Sequence, residues 1–175
     1  MNITVIGLGK IGLPLAVQYA SRGHKVMGAD INPETVRLVN AGEEPFPGEA
    51  MLAETLQEQV ASGRLSATTE TAAAVKDSDA VVLVVPLYVD DEGRPDYAWM
   101  DAATREVAIG LQPGTLVSYE TTLPVGTTRD RYAPMLEEGS GLVAGEDFHL
   151  VFSPERVLTG RVFADLRKYP KLVGG

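Results

Sequence analysis

Three glycines and one aspartate carry the clearest chemical signal in this chain. Gly7, Gly9 and Gly12 form G-x-G-x-x-G within NITVIGLGKIGLPLAVQYASRGHKVMGAD, and Asp30 ends that stretch. Gly7 permits a tight turn after the apolar run Ile3–Ile6. Gly9 removes the Cβ that would keep a pyrophosphate from the backbone, and Gly12 lets the following helix pack closely on the strand. The helix N-terminus then offers unpaired N–H groups and a partial positive charge to phosphates. Leu8, Lys10 and Ile11 share the loop and count with the glycines as cofactor-binding positions. Asp30 follows the last glycine by about 20 residues, the spacing of a carboxylate that bonds an adenosine ribose 2′-OH. An acid there repels a 2′-phosphate, so the reading is NAD rather than NADP. A glycine-rich turn selected for packing explains the motif alone, but not strand, amphipathic helix and terminal acid together. Arg37 lies about two helical turns further on and reads as a solvated helix residue.

Two further loops hold groups suited to proton handling. ETTLPVGTT at 120–128 places hydroxyls around Pro124 and Gly126. Thr122 reads as a helix N-cap with Pro124 near the first turn, and also as a group that holds a water or ligand oxygen near the nicotinamide. SPERVLTG at 153–160 places Glu155 just after a strand, where a carboxylate beside a bound cofactor can act as a general base. A surface ion pair with Arg156 is the commoner fate of adjacent Glu-Arg, and spacing alone does not separate the two readings. His24 reads as solvent-facing, His149 as a structural histidine inside a strand, and Trp99 and Met100 as helix packing. Asp90, Asp91 and Glu92 read as a solvated loop. No His, Cys, Asp or Glu spacing suggests a metal site.

These groups need elements to position them. Short apolar runs alternate with helical stretches, which predicts an α/β fold: a doubly wound, mostly parallel, Rossmann-like sheet with helices on both faces. Strands are expected at 2–6, 25–29, 65–68, 80–85, 115–119 and 148–152, with a last short one around Leu172-Val173. Helices are expected at 10–22, from Pro33 to about Ala41, from Glu49 to Ser62, from a Thr69 cap through Val75, from Tyr97 to Leu111, and from loop 120–128 to about Glu137. In such a sheet, ligands bind outside the carboxyl ends of the strands. Loops 7–12, 86–95, 120–128 and 153–160 reach that edge together with Asp30, which points to a single site there.

Composition narrows the partners. The chain has 175 residues, 45% apolar and 22% charged, which fits one domain with a real core. A formal net charge of −9 disfavours a nucleic-acid partner and an anionic membrane surface. No apolar run approaches a membrane span, and the N-terminus enters a strand directly, without the features of a signal peptide. Cysteine is absent, which excludes a disulfide framework. A cytoplasmic protein is the expectation.

Taken in order, GLGKIGLPLA with its Pro14, VVLVVP, ETTLPVGTT, SPERVLTGR and KLVGG resemble the UDP-glucose/GDP-mannose dehydrogenase family. The similarity covers essentially the whole chain. The Pro-Glu-Arg form of the last loop is most similar to the branch acting on UDP-N-acetylmannosamine or related nucleotides; the UDP-glucose branch more often carries Pro-Glu-Phe-Leu. The resemblance implies oxidation of a sugar C6 alcohol to a carboxylate with two NAD⁺ in sequence, through a cysteine thiohemiacetal and thioester. It implies pyrophosphate binding at Gly7, Gly9 and Gly12, ribose binding at Asp30, and cofactor contacts at Val85, Pro86 and Thr122. Thr122 matches the family threonine that bonds an active-site water. Glu155 matches the glutamate assigned to base work and thioester hydrolysis, and Glu155, Arg156, Val157 and Leu158 line the UDP-sugar. The full-length protein is expected to be a homodimer.

Departures from the family pattern matter as well. Val85-Pro86-Leu87-Tyr88 stands where Val-Pro-Thr-Pro is usual, and Thr159 replaces a second glutamate of the UDP-glucose branch. The family's cysteine nucleophile and catalytic lysine belong to segments past Gly175, so residues 1–175 read as a single NAD-binding domain without the central helix and C-terminal domain. The chain alone is expected to bind NAD and not to turn over. A β-hydroxyacid-type dehydrogenase and a non-catalytic NAD-sensing module remain as alternatives. Pro14 and the SPER loop argue against the first, and a cysteine-containing continuation of the reading frame would exclude the second.

Overall fold

Residues 1–175 are all described by the computed structural model of this chain. The first apolar run forms β1, Asn2–Ile6, and the glycine turn leads into α1, Gly12–Ser21. The chain returns as β2, Lys25–Ala29, and Asn32 caps α2, Pro33–Asn40, by accepting the Glu34 N–H. There follow α3, Leu52–Ala61; β3, Leu65–Thr68; α4, Thr71–Lys76; and β4, Ala80–Leu83. A hairpin of β5, Tyr88–Val89, and β6, Pro95–Asp96, precedes α5, Ala98–Gly110, and β7, Leu116–Tyr119. A π-helical turn, Thr128–Tyr132, opens α6, Ala133–Ser140; β8, His149–Phe152, and α7, Val162–Lys168, complete the order.

The main sheet has six strands in the order β3-β2-β1-β4-β7-β8, and every pairing is parallel. Side chains alternate between its faces. Ile3, Val5, Ala80 and Val82 enter one core with Leu13, Val17, Leu56 and Phe163. Ile6, Val81 and Leu83 enter the other with Met100, Val107, Tyr132 and Leu136. Helices therefore cover both faces, as the alternating pattern predicts. The strand order reverses between β1 and β4, so the loops after these two strands diverge and open a crevice at their carboxyl ends.

The glycine turn is held by two different constraints. Gly7 has φ +89°, a left-handed conformation that a side chain strains. Gly12 has no such φ, but a Cβ there would lie 1.8 Å from the Gly7 carbonyl oxygen. The backbone of α1 therefore touches the backbone of the turn, which brings its N-terminus over the end of β1.

Several expectations need correction. The helix expected from Glu49 begins at Leu52, because Met51 has φ 67° and breaks the helical path. Thr69 caps nothing; the neighbouring Thr68 hydroxyl accepts the Glu70 N–H and α4 begins at Thr71. Thr122 is not an N-cap: the chain is irregular from Thr122 to Pro124 and turns through Pro124–Thr127 before the π turn, so the helix starts later. The polar loop after β4 contains the β5–β6 hairpin, whose turn Asp90 organises by accepting the N–H groups of Glu92 and Arg94. Trp99 is exposed and packs edge-on to Tyr88 rather than into the core. His149 is exposed on the edge strand β8. Leu172-Val173 forms no strand; only Gly174 bridges, antiparallel, to Phe152. Helix α7 has no counterpart among the elements that the sequence pattern predicts.

The Gly7–Gly12 approach predicts a large penalty for one methyl group. Gly12→Ala should destabilise the fold by about 3 kcal/mol, measured as a lowered urea midpoint at unchanged m-value.

Candidate functional site

The glycine loop presents donors outward. Leu8 donates its N–H to Asp30 Oδ2 at 2.7 Å, and Asn32 donates its N–H to Asp30 Oδ1 at 2.9 Å. The end of β2 is thereby fixed to the glycine turn, and each Asp30 oxygen keeps a lone pair for another donor. The N–H groups of Gly9, Lys10 and Ile11 have no acceptor within the chain. Gly9 has an ordinary φ, and an added Cβ there would meet no atom within 4 Å. Neither conformation nor packing within the protein explains a glycine at this position. The space a side chain would enter adjoins three free donors at a helix N-terminus, which fits an anionic group such as a pyrophosphate.

A cavity of about 280 Å³ opens from this loop across the ends of β4, β7 and β8. Its lining includes Gly9, Lys10, Ile11, Gly12, Val84, Pro86, Glu120, Thr121, Thr122, Glu155 and Val157, so four distant segments meet there. Thr121 ties two of them together by donating its hydroxyl to the Val85 carbonyl at 2.7 Å. Thr122 reaches the cavity, as its candidate role requires. Val85 does not line it; its carbonyl is used by Thr121, and Val84 and Pro86 provide the wall. Gly7 and Leu8 lie beneath the cavity, where Leu8 is fully buried. A smaller crevice joins Gly9 and Lys10 to Phe46, Pro47, Glu49, Leu52 and Thr159, so loop 42–51 flanks the glycine loop.

Glu155 is not paired with the Arg156 guanidinium, which donates instead to the Pro170 carbonyl. It accepts the Arg156 backbone N–H at 2.8 Å on one oxygen and the Lys171 ammonium at 2.8 Å on the other. Lys171 also donates to Glu120 Oε2 at 2.6 Å, and Ser118 donates to Glu120 Oε1 at 3.0 Å. One ammonium thus bridges two carboxylates. Glu120 is only 4% exposed, and burial pushes its carboxyl above the ordinary value against the opposing pull of Lys171. Burial alone would lower the Lys171 ammonium, but the two carboxylates outweigh it and raise it. The Tyr19 hydroxyl of α1 is raised by burial and then by the two carboxylates. Behind this wall, Tyr19, Arg156, Val157 and Lys171 line a second cavity of about 220 Å³ together with Glu155. Leu158 is exposed, and its N–H donates to Asp165 rather than lining either cavity.

Glu120 and Lys171 escaped the sequence reading as charged partners of Glu155. Lys171 lies 51 residues from Glu120 and 16 from Glu155, so no local spacing marks the bridge. Ile31 escaped it too: this apolar side chain stands 87% exposed immediately after Asp30.

Residues 1–175 match the profile described as "UDP-glucose/GDP-mannose dehydrogenase family, NAD binding domain". The UDP-N-acetyl-D-mannosamine dehydrogenase of Pyrococcus horikoshii is 38% identical over 177 residues, covering 100% of this chain and 41% of the relative. The solved structure of the UDP-D-ManNAc dehydrogenase from that organism superposes with a TM-score of 0.94 at 36% identity, over 100% of this chain and 41% of that one. The GDP-mannose dehydrogenase ternary complex from Pseudomonas aeruginosa gives a TM-score of 0.93 at 30% identity, over 99% and 41%. The chain therefore spans about two-fifths of the length of these relatives.

The buried carboxylate predicts a signature in stability against pH. Glu120 has its folded value above the ordinary 4.5, so the folded state holds the proton more tightly than the unfolded chain. Its contribution to stability is present below about pH 4.5 and is lost as pH rises through the folded value. Glu120→Gln should remove that decline, measured as a flatter dependence of the urea midpoint on pH above about 4.5 than in the wild type.

Proposed function

Because the chain belongs to the UDP-glucose/GDP-mannose dehydrogenase family, with NAD as its cofactor, we propose that it is the NAD-binding part of a nucleotide-sugar 6-dehydrogenase. The proposed substrate is a UDP-sugar of the N-acetylmannosamine type, oxidised at C6 to the uronate with two NAD⁺. The likeness to UDP-N-acetyl-D-mannosamine dehydrogenases and the Pro154-Glu155-Arg156 loop support that choice.

The free donors of Gly9, Lys10 and Ile11 bind the pyrophosphate, with the Lys10 ammonium adding charge at the same loop. Asp30, already oriented by Leu8 and Asn32, accepts from the adenosine ribose hydroxyls and repels a 2′-phosphate. The exposed Ile31 side chain gives the adenine an apolar face. When bound, NAD⁺ supplies the hydride acceptor. Glu155 takes the proton of the substrate hydroxyl, its carboxylate being held by the Arg156 N–H and Lys171. Thr122 positions a water at the cavity mouth. Val157 and Arg156 border the sugar nucleotide. This chain has no cysteine, so it forms no thioester by itself and does not complete the oxidation. The dimer of the full-length protein and its cytoplasmic location belong to the same reading.

The observation that carries the reading is Gly9, a glycine with no internal reason to be one. Calorimetric titration with NAD⁺ tests it. Gly9→Ala should leave the urea midpoint essentially unchanged and weaken NAD⁺ binding at least about tenfold. Asp30→Ala should weaken NAD⁺ binding and narrow the preference over NADP⁺. Unaltered NAD⁺ affinity in Gly9→Ala would refute the placement of the pyrophosphate.

A further inference from the structure

The Glu120–Lys171–Glu155 bridge is asymmetric with respect to the two cavities. Glu120 and Glu155 line the cofactor cavity; Glu155 also borders the cavity behind it, and Lys171 lines that rear cavity and not the front one. The cluster therefore presents both carboxylates to the cofactor side, while its cation stands on the rear side. With both carboxylates ionised it carries one net negative charge, because a single ammonium serves both. The other charged residue of the cofactor-cavity lining, Lys10, belongs to the glycine loop. The Arg156 guanidinium is turned to the Pro170 carbonyl, and Tyr19 supplies a neutral hydroxyl from α1. Lys10 makes no ion pair with either carboxylate, so Lys171 is their one paired cation.

The two redox forms of a nicotinamide differ by one charge on the ring. We propose that this cluster discriminates between them, favouring the cationic ring of NAD⁺ over the neutral ring of NADH, with Lys171 as the residue that positions both carboxylates and sets their net charge. The inference rests on the cofactor reading given above. Its consequence is directional: an enzyme that uses two NAD⁺ must release the reduced cofactor between its two oxidations, and a negative wall promotes that exchange. Lys171 is 37% exposed on its side chain while Glu120 is 5% exposed, so the cation is reached by solvent and the buried carboxylate is not. The protonation of Glu120 thus acts as the variable charge of the wall. Its carboxyl is raised by burial, so acidification removes the net negative charge through Glu120.

The test is the ratio of dissociation constants, NADH over NAD⁺, measured by calorimetry at a series of pH values upward from the ordinary carboxyl value of 4.5. The wild type should favour NAD⁺ at the alkaline end and lose that preference as pH falls. Glu120→Gln keeps the shape and neutralises the charge; its ratio should drop about fivefold at alkaline pH and become flat through the range where Glu120 titrates. Lys171→Arg should retain the wild-type profile, while Lys171→Met should move the step to higher pH, because Glu120 loses its cation. A role confined to holding the loop would weaken both cofactor forms equally and leave the ratio unmoved. Equal ratios in wild type and Glu120→Gln at every pH would overturn the inference while leaving the cofactor reading intact. Absence of NAD⁺ binding by the wild type would refute that reading and this inference with it.

Discussion

The contact between the backbone of α1 and the carbonyl of Gly7 is the constraint on which the site depends. Gly12 can approach this closely only without a Cβ. That approach sets the first turn of α1 over the end of β1, and the Leu8–Asp30 hydrogen bond ties the end of β2 to the same turn. Three free N–H groups and one oriented carboxylate are therefore fixed before any ligand arrives. Preorganisation of this kind reduces the ordering cost that binding must otherwise offset. The three glycines have separable roles: one for backbone conformation, one for packing, and one for the space beyond the protein surface.

Strand order then determines what can face that loop. Reversal between β1 and β4 opens the crevice, and the ends of β7 and β8 bring Glu120 and Glu155 to its far wall. Two carboxylates in one partly buried wall require compensation, and Lys171 provides it from the chain segment that follows α7. Helix α7, which packs on α1 with Phe163 in the shared core, carries the chain to that point. The last segment of the chain is thus part of the site's electrostatics, although it adds no strand to the sheet.

Much of this was legible in the sequence where local rules decide. Glycine spacing, the Asn32-Pro33 helix start and the unbroken apolar run at Ala80–Leu83 have local causes, and the fold class follows from their alternation. The family resemblance was legible for the same reason, since its motifs are contiguous. The misses have non-local or conformationally exceptional causes. Met51 adopts a left-handed conformation without being glycine, which no residue preference announces. The threonines of loop 120–128 have the composition of a cap, but Thr121 bonds across to Val85 and the helix begins with a π turn instead. Glu155 stands beside Arg156 in sequence, yet tertiary structure gives it Lys171. The apolar pair Leu172-Val173 has the local pattern of a strand, but only Gly174 meets Phe152.

The central claim is that the pyrophosphate of NAD lies on the N–H groups of Gly9, Lys10 and Ile11. Amide resonances followed by nitrogen–proton NMR during addition of NAD⁺ test it most directly. The largest displacements should fall at those three amides, with Ile31 and Thr122 following and the edge of β8 at His149 unmoved. Saturable displacements confined to a region away from the glycine loop, with Gly9, Lys10 and Ile11 unchanged, would contradict it.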